Sequence, residues 1–281
     1  MAIGDSTRIN TNIAAFNALN ALKTVNRNLE ISQLRLATGR RINEVAEDPA
    51  GFTISKRLEA RSRGISVAID NVGTAKNVLS IAEGGLLNIS DILITIKEKI
   101  TQAASDTLGS AERNAIKTEI DQLVSEIDNI VSETTFNNNT LLDGSFTGIS
   151  VQAGEDTTNT LDIGISQNAT ASGLSIQAAD VSTLVFTAAG AASALSNIDT
   201  AIENVSQTLQ DVGALSSRLT FKENTLNIAL TNTEATRSRI VDADIASEQL
   251  TATKFLILQQ TATAQLAQAN VTPQNVLALF T

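Results

Sequence analysis

From Ile65 onward every seventh residue is apolar: Ile65, Val72, Leu79, Leu86, Leu93 and Ile100. Three places on from these stand Ala68, Ala75, Ala82, Ile89, Ile96 and Ala103. An unbroken pattern of that length commits the chain to a long helix packed along one seam against other helices. At about 1.5 Å per residue the run spans roughly 58 Å. Gly84 and Gly85 fall inside it. At about 1 kcal/mol each relative to Ala, they predict a local irregularity without a break.

Two further seams accompany the first. Ile116, Ile120, Leu123, Ile127 and Ile130 are spaced 4-3-4-3. Downstream come Leu195, Ile198, Ile202, Val205, Leu209, Val212, Leu219, Leu226 and Leu230, with polar Ser216 and Glu223 interrupting the row. The fold class expected is mainly α: an elongated antiparallel helical bundle or coiled coil with a small β-hairpin region. The hairpin lies in the connection 136–190, where Ile149, Val151 and Ala153 alternate, 154–159 turns, and Leu161, Ile163 and Ile165 alternate again. Residues 166–190 are turn-rich and read as the most exposed part.

The ends are helical too. Ile9, Ile13, Phe16, Leu19, Leu22, Val25 and Leu29 recur at threes and fours. From Phe255 to Thr281 no residue is charged. That stretch is too broken by Gln, Asn and Thr to be a membrane span, which needs about 20 predominantly apolar residues. It is too aliphatic to resemble a disordered tail. A helix of this kind suits burial against copies of itself. Asp48 reads as an N-cap with Pro49 at the first helical position. Thr272-Pro273 repeats the device and predicts a boundary before a short turn at 274–280.

Composition narrows the chemistry. The net charge is −10, distributed as about +4 over residues 1–41, zero over 235–281 and about −14 between them. An acidic middle argues against nucleic acid as a partner, and Arg40-Arg41 reads as solvated surface charge. There is no Cys, His, Trp or Tyr, so disulfides, thiolate metal sites and the commonest general base are absent. No catalytic residue, metal site or cofactor is expected, and an H-E-x-x-H zinc protease is impossible without His. Asn-X-Ser/Thr triplets at Asn88, Asn138, Asn168 and Asn204 are what chance supplies in so Asn- and Thr-rich a chain. The N-terminus has no apolar run of the secretory kind.

The segment RINTNIAAFNALNALKTVNRNLEISQLRLATGRRINEVAEDPAGFTISKRL resembles the N-terminal signature of bacterial flagellins. TRSRIVDADIASE and ILQQTATAQLAQANVTPQNVLALF resemble the C-terminal signature, with IAEGGLLNIS and VSETTFNNNTLLDG fitting between. The likeness covers 6–165 and 190–281 and leaves room for a loop only where many flagellins insert outer domains.

The resemblance implies a filament subunit that self-assembles into a helical homopolymer for motility, and not an enzyme. It implies an N-terminal arm (1–44) and a C-terminal arm (235–281) forming the inner filament core. Outside them lie a two-helix part of the outer bundle (45–135), the hairpin and short variable segment (136–190) and a returning helix (191–234). It implies type III export, a secreted location in the extracellular filament, and as partners a flagellin export chaperone and hook-associated junction and cap proteins. No nucleic-acid or membrane partner is implied. A hook–filament junction protein of the same superfamily is the alternative. Self-assembly residues are Ile9, Ile13, Phe16, Leu22, Leu29, Leu258, Leu266 and Val271. Chaperone-contact residues are Ile257, Leu258, Leu266, Val276 and Leu277. At the patch by which a Toll-like receptor of animal immunity sees flagellins, Glu119 retains the family's Glu. Thr95 stands where an Arg is expected and Lys99 where a Leu is, so weak recognition is expected. An isolated arm cannot bury its stripe, and lone helices are marginal in water. Both arms are therefore expected to order on assembly.

Overall fold

The computed structural model describes residues 11–105, 107–177 and 188–277, with side chains of the last stretch described over 190–271. Among them lie five helices: α1 (Ile13–Thr38), α2 (Pro49–Ala103), α3 (Ser110–Glu133), α4 (Ala188–Val241) and α5 (Ile245–Leu277). Two short antiparallel ladders accompany them, β1 (Thr135–Phe136) with β2 (Asn139–Thr140) and β3 (Ile149–Gln152) with β4 (Thr160–Ile163). The chain divides into two compact units. Unit one is Met1–Ala60 with Asn232–Thr281, and unit two is Arg61–Thr231.

In unit two the seam residues of α2 are the core. Val72, Leu86, Leu93, Ile96 and Ile100 are wholly buried, as are Ile120 and Ile127 of α3 and Ile198 and Val205 of α4. Two ion pairs fix the antiparallel register of α2 against α4: Lys76 to Glu223 at 2.8 Å and Lys97 to Asp199 at 2.6 Å. Glu223, polar in an apolar row, is thus placed there to meet Lys76. The expected irregularity at Gly84-Gly85 is absent, because α2 runs unbroken through both. Gly85 is buried where a Cβ would lie 2.8 Å from Leu142 Cδ1 and Thr134 Oγ1. Close approach of the β1–β2 ladder to the helix, not a bend, requires the missing side chain.

The hairpin pairs Ile149 with Ile163 and Gln152 with Thr160. Asn71 Nδ2 donates to the Gln152 carbonyl at 3.2 Å, and Arg61 pairs with Glu155 at 2.8 Å, holding it on α2. Over 166–177 the expectation of exposure is overturned. Ala169, Ala171, Leu174 and Ile176 are buried in the core. The segment is pinned by Ala169 N–H to Leu142 O (2.8 Å) and Ala171 N–H to Asp128 Oδ1 (2.8 Å). With those backbone groups satisfied, an irregular stretch can be buried at little cost. Residues 178–187, the rest of that expectation, lie outside the described residues.

In unit one α1 and α5 pack antiparallel. Asn12 meets Ala269, Asn26 meets Gln259, and Gly39 meets Ala243. Gly39, left-handed at φ +68°, ends α1 with its N–H on the Arg35 carbonyl. Asp48 caps α2 as expected, its Oδ1 accepting from the Gly51 N–H at 2.9 Å. The boundary expected at Thr272-Pro273 is not one, since α5 continues to Leu277. A proline inside a helix offers no N–H to the carbonyl four residues back. That carbonyl is Ala269's, and the Asn12 side chain supplies the missing donor at 2.7 Å.

Candidate functional site

Among the described residues, nine of the eighteen large apolar side chains that are exposed lie on the α1–α5 pair of unit one. Its inner contact buries Leu29, Ala252 and Ala262. Asn12 works at both helices, because its Oδ1 also caps α1 by accepting from Ala15 N–H at 3.0 Å. Where α1 ends and α5 begins, the Arg41 guanidinium donates to the Ile240 carbonyl at 2.7 Å, and Ala243 N–H reaches Gly39 O at 2.9 Å. A cation on the last carbonyls of a helix is favourable. Arg41 is exposed, as expected of Arg40-Arg41, and also clasps the last turn of α4.

Away from that contact the pair is apolar and uncovered. Phe16 is 61% exposed, Ile257 59% and Leu250 74%, and Ile13, Leu258 and Val271 are also exposed. Leu22 and Leu266 are half-buried, and Leu29 belongs to the inner contact. Ile9 lies outside the described residues, as do the side chains of Val276 and Leu277. Sequence reasoning missed Leu250 and Leu256. Leu256 stands off the i, i+4 row of Leu258, Ala262 and Leu266, and Leu250 falls two steps before that row behind the charged Lys254; both are exposed.

The polar residues of α5 do not spoil this surface. Thr251, Thr253, Thr261 and Thr263 each turn their hydroxyl back onto the carbonyl four residues earlier, at 2.8–3.0 Å. The donor is satisfied inside the helix and the methyl group is left outward. Beyond Lys254, where α5 carries no charge, hydroxyls satisfied inside the helix can be covered by another apolar face without being left unpaired.

In unit two the receptor-patch positions lie close together. Lys99 Nζ sits 2.6 Å from Glu119 Oε1, and Thr95 Oγ1 donates to the Asp91 carbonyl at 3.0 Å. The retained glutamate is thus already engaged by the residue that replaces the expected leucine. No sequence signal showed this pairing, which joins two different helices.

Two carboxyls titrate below the ordinary range. Burial alone would raise Glu47, but the Asn43 N–H at 2.8 Å and the Arg35 guanidinium at 3.2 Å outweigh it and hold it low. Asp143 is lowered by the Ser145 hydroxyl at 2.6 Å, the Thr140 hydroxyl and the Ser145 N–H. Both are turn-stabilising contacts. A cleft of about 470 Å³ on unit two is walled by Asn71, Phe136, Phe146 and Val151 among others, with no titratable side chain. Among the described residues no group of three His, Cys, Asp or Glu could hold a metal. Helix α2 has a window long and apolar enough to cross a membrane, but its apolar seam, Val72 to Ile100, is the buried core just described.

Comparison with known proteins agrees with this arrangement. The model of the bacterial flagellin N-terminal helical region matches residues 9–147, and that of the C-terminal helical region matches 195–280. A flagellin of Bacillus subtilis (strain 168) is 34% identical over 302 residues, spanning 97% of this chain and 99% of that protein. A flagellar filament 33 kDa core protein of Treponema phagedenis is 32% identical over 286 residues, with the same shares covered. A solved Vibrio parahaemolyticus protein described as flagellar hook-associated superposes with a TM-score of 0.61, at 16% identity. It covers 70% of this chain and 100% of that one, and the likeness is one of fold alone.

Proposed function

The chain belongs to the bacterial flagellin family, and on that premise we propose that it builds the flagellar filament through the uncovered faces of its α1–α5 pair. As a flagellin it is a structural subunit of the filament. The observation that carries the assembly route is the apolar surface of that pair: Phe16, Leu250 and Ile257 are mostly exposed in a single copy, and Ile13, Leu258 and Val271 are partly so. Burying one such side chain fully contributes about 1.5–3 kcal/mol. A helical array of head-to-tail contacts covers the face on every copy and does not close.

Ile9, Leu22, Leu29 and Leu266 complete the proposed self-assembly set, with arms bounded at 1–44 and 235–281. Export unfolded by the type III route suits a chain without cysteine. It places the assembled protein outside the cell, with hook-associated junction and cap proteins at the filament's ends. A chaperone covering Ile257, Leu258, Leu266, Val276 and Leu277 before export would keep the same face from polymerising early. Recognition by the flagellin-sensing Toll-like receptor is proposed to be weak, because Thr95 lacks a guanidinium and Glu119 is held by Lys99. The junction-protein alternative rests on fold likeness at 16% identity. Near-full-length relatives at 32–34% favour the flagellin reading.

Negative-stain electron microscopy of purified protein with a precipitating salt and short seeds tests the reading. Long helical filaments are expected. Monomers that persist with intact termini would turn the assignment toward the junction protein.

A further inference from the structure

Unit two carries a pair of oppositely charged faces that its own core does not use. On α2, Glu83, Leu87, Asp91, Ile94 and Glu98 fall within a sector of about 80° at about 100° per residue, opposite the buried seam. All five are exposed, Leu87 by 50% and Ile94 by 47%. No ion pair engages the three carboxylates among the described residues, and no Lys or Arg occurs between 77 and 96. On α4, Arg218, Phe221 and Ile228 are exposed and Lys222 is half-buried, all within a sector of about 120°. Arg218, Phe221 and Lys222 stand beside Thr160 and Leu161 of the hairpin. Phe221 is 72% and Ile228 64% exposed. Neither cation has an ion-pair partner among the described residues. A basic collar around an exposed phenyl ring stands out on a chain of net charge −10.

We propose that these faces are the two halves of one contact between neighbouring copies: the Arg218–Phe221–Lys222–Ile228 patch of one subunit docks on the Glu83–Leu87–Asp91–Ile94–Glu98 stripe of the next. The proposal rests on the filament reading and adds a second, outer contact to the α1–α5 faces. The occupant is a second copy because the chemistry is complementary within the chain itself. Each face offers two large apolar side chains, flanked by unpaired cations on one and unpaired carboxylates on the other. Such complementarity sets register and rejects wrong pairings. An acidic stripe repels phosphate, so neither nucleic acid nor an anionic membrane fits it.

The two faces also lie at different levels. The Lys76–Glu223 and Lys97–Asp199 pairs place residue 222 of α4 beside residue 77 of α2. The centre of the stripe is therefore displaced from the patch by about 20 Å at about 1.5 Å per residue. Two parallel copies joined this way are staggered along their helices, and the same contact repeats without closing. It is a heterologous interface, the kind that generates filaments.

The test is sedimentation of the full-length protein at about 0.1 M salt, where charges still act over about 10 Å. Arg218→Glu with Lys222→Glu reverses the patch, and Glu83→Lys with Glu98→Lys reverses the stripe. Each double variant alone should leave ~10-fold more protein in the supernatant than wild type. An equimolar mixture should sediment again, because each reversed face then meets its complement. Arg218, Glu83 and Glu98 are exposed and Lys222 is half-buried without an ion pair among the described residues, so circular dichroism should be unchanged. As a second measurement, Phe221→Cys and Leu87→Cys variants, in a chain with no cysteine of its own, should form disulfide dimers when mixed in filaments and treated with a mild thiol oxidant that takes up the two electrons, and not as monomers under the same treatment. Wild-type sedimentation by either reversed variant, a mixture that stays soluble, or no cross-link in filaments overturns the contact alone. A wild type that never sediments overturns the filament reading, and this contact with it.

Discussion

Unit two and the α1–α5 pair are written in the same helical periodicity, yet one completes its core and the other does not. In unit two every a/d residue from Ile65 to Ala103 is buried, because α3, α4 and the 165–176 segment come from the same chain to meet it. In the pair, Ile13 and Phe16 belong to as regular a row as Leu29, but Leu29 is 6% exposed and Phe16 61%. A two-helix contact can cover only one strip of each helix. The remaining apolar strips have to be met from outside. Periodicity predicts a helix and a face; how many partners the chain itself supplies decides whether that face is core or interface.

The largest contrast expected is in proteolysis of the free monomer. Local opening free energies range from near zero up to the global value, and the low end belongs to segments with few buried contacts. Trypsin should cut at Lys23, Arg27 and Lys254, all exposed on the arms, faster than within 61–231 by orders of magnitude. Mass spectrometry of the early fragments reads the order. Arms as resistant as the bundle would show that the pair is stable without neighbours and would remove the argument from incompleteness.

Substitutions sharpen the same difference. Leu93→Ala, in the buried seam, should cost about 2–5 kcal/mol of stability by denaturant unfolding. Phe16→Ala should change monomer stability by no more than about 0.5 kcal/mol while sharply lowering filament yield. If Phe16→Ala destabilised the monomer as much as Leu93→Ala does, its ring would be core and not interface.

Much of this was legible in the sequence, and the failures have physical causes. The seam of α2 was legible because an intramolecular core repeats every 3.5 residues. Those of α3 and α4 were legible in part: in α3 Val124 and Val131 are buried where Leu123 and Ile130 were expected, and these two are half-buried. The hairpin was legible because Ile149, Val151, Leu161 and Ile163 alternate about a turn. The burial of Ala169, Leu174 and Ile176 was not, because irregular backbone has no period and its pinning hydrogen bonds come from residues far along the chain, such as Asp128. Pro273 read as a helix end because local chemistry says so. The overriding donor, Asn12, is 257 positions away. Of the candidate site, the apolar residues were readable but their direction was not. The locked Lys99–Glu119 pair was invisible for the same reason.

The adjacent glycines of α2 give a smaller, internal version of the comparison. A Cβ at Gly84 meets nothing within 4 Å, whereas one at Gly85 meets Leu142 and Thr134. Gly84→Ala should raise stability by about 0.5–1 kcal/mol through lost backbone freedom of the unfolded chain. Gly85→Ala should lower it by about 1–3 kcal/mol through overpacking. Equal effects of the two in thermal unfolding would mean that the β1–β2 ladder yields easily.

The smallest effects expected are on acid stability, and they separate the units once more. Glu47 of unit one and Asp143 of unit two both titrate below their ordinary values. A carboxyl whose folded pKa lies below the unfolded one binds fewer protons in the native state. Its stabilisation is complete above the unfolded value, about 4.3 for Glu and 3.9 for Asp. It is lost as pH falls through the folded value. Unfolding midpoints should therefore drop between about pH 5 and 3, and less steeply in Glu47→Gln and Asp143→Asn than in the parent. Salt distinguishes the two. Glu47 is held partly by a full charge on Arg35, which about 1 M salt screens to about 3 Å, so its share should shrink. Asp143 is held by neutral hydroxyl and amide donors, and its share should persist. If salt left the Glu47→Gln difference untouched, the Asn43 hydrogen bond and not the Arg35 charge would be what holds that carboxylate, and with it the turn from α1 into α2.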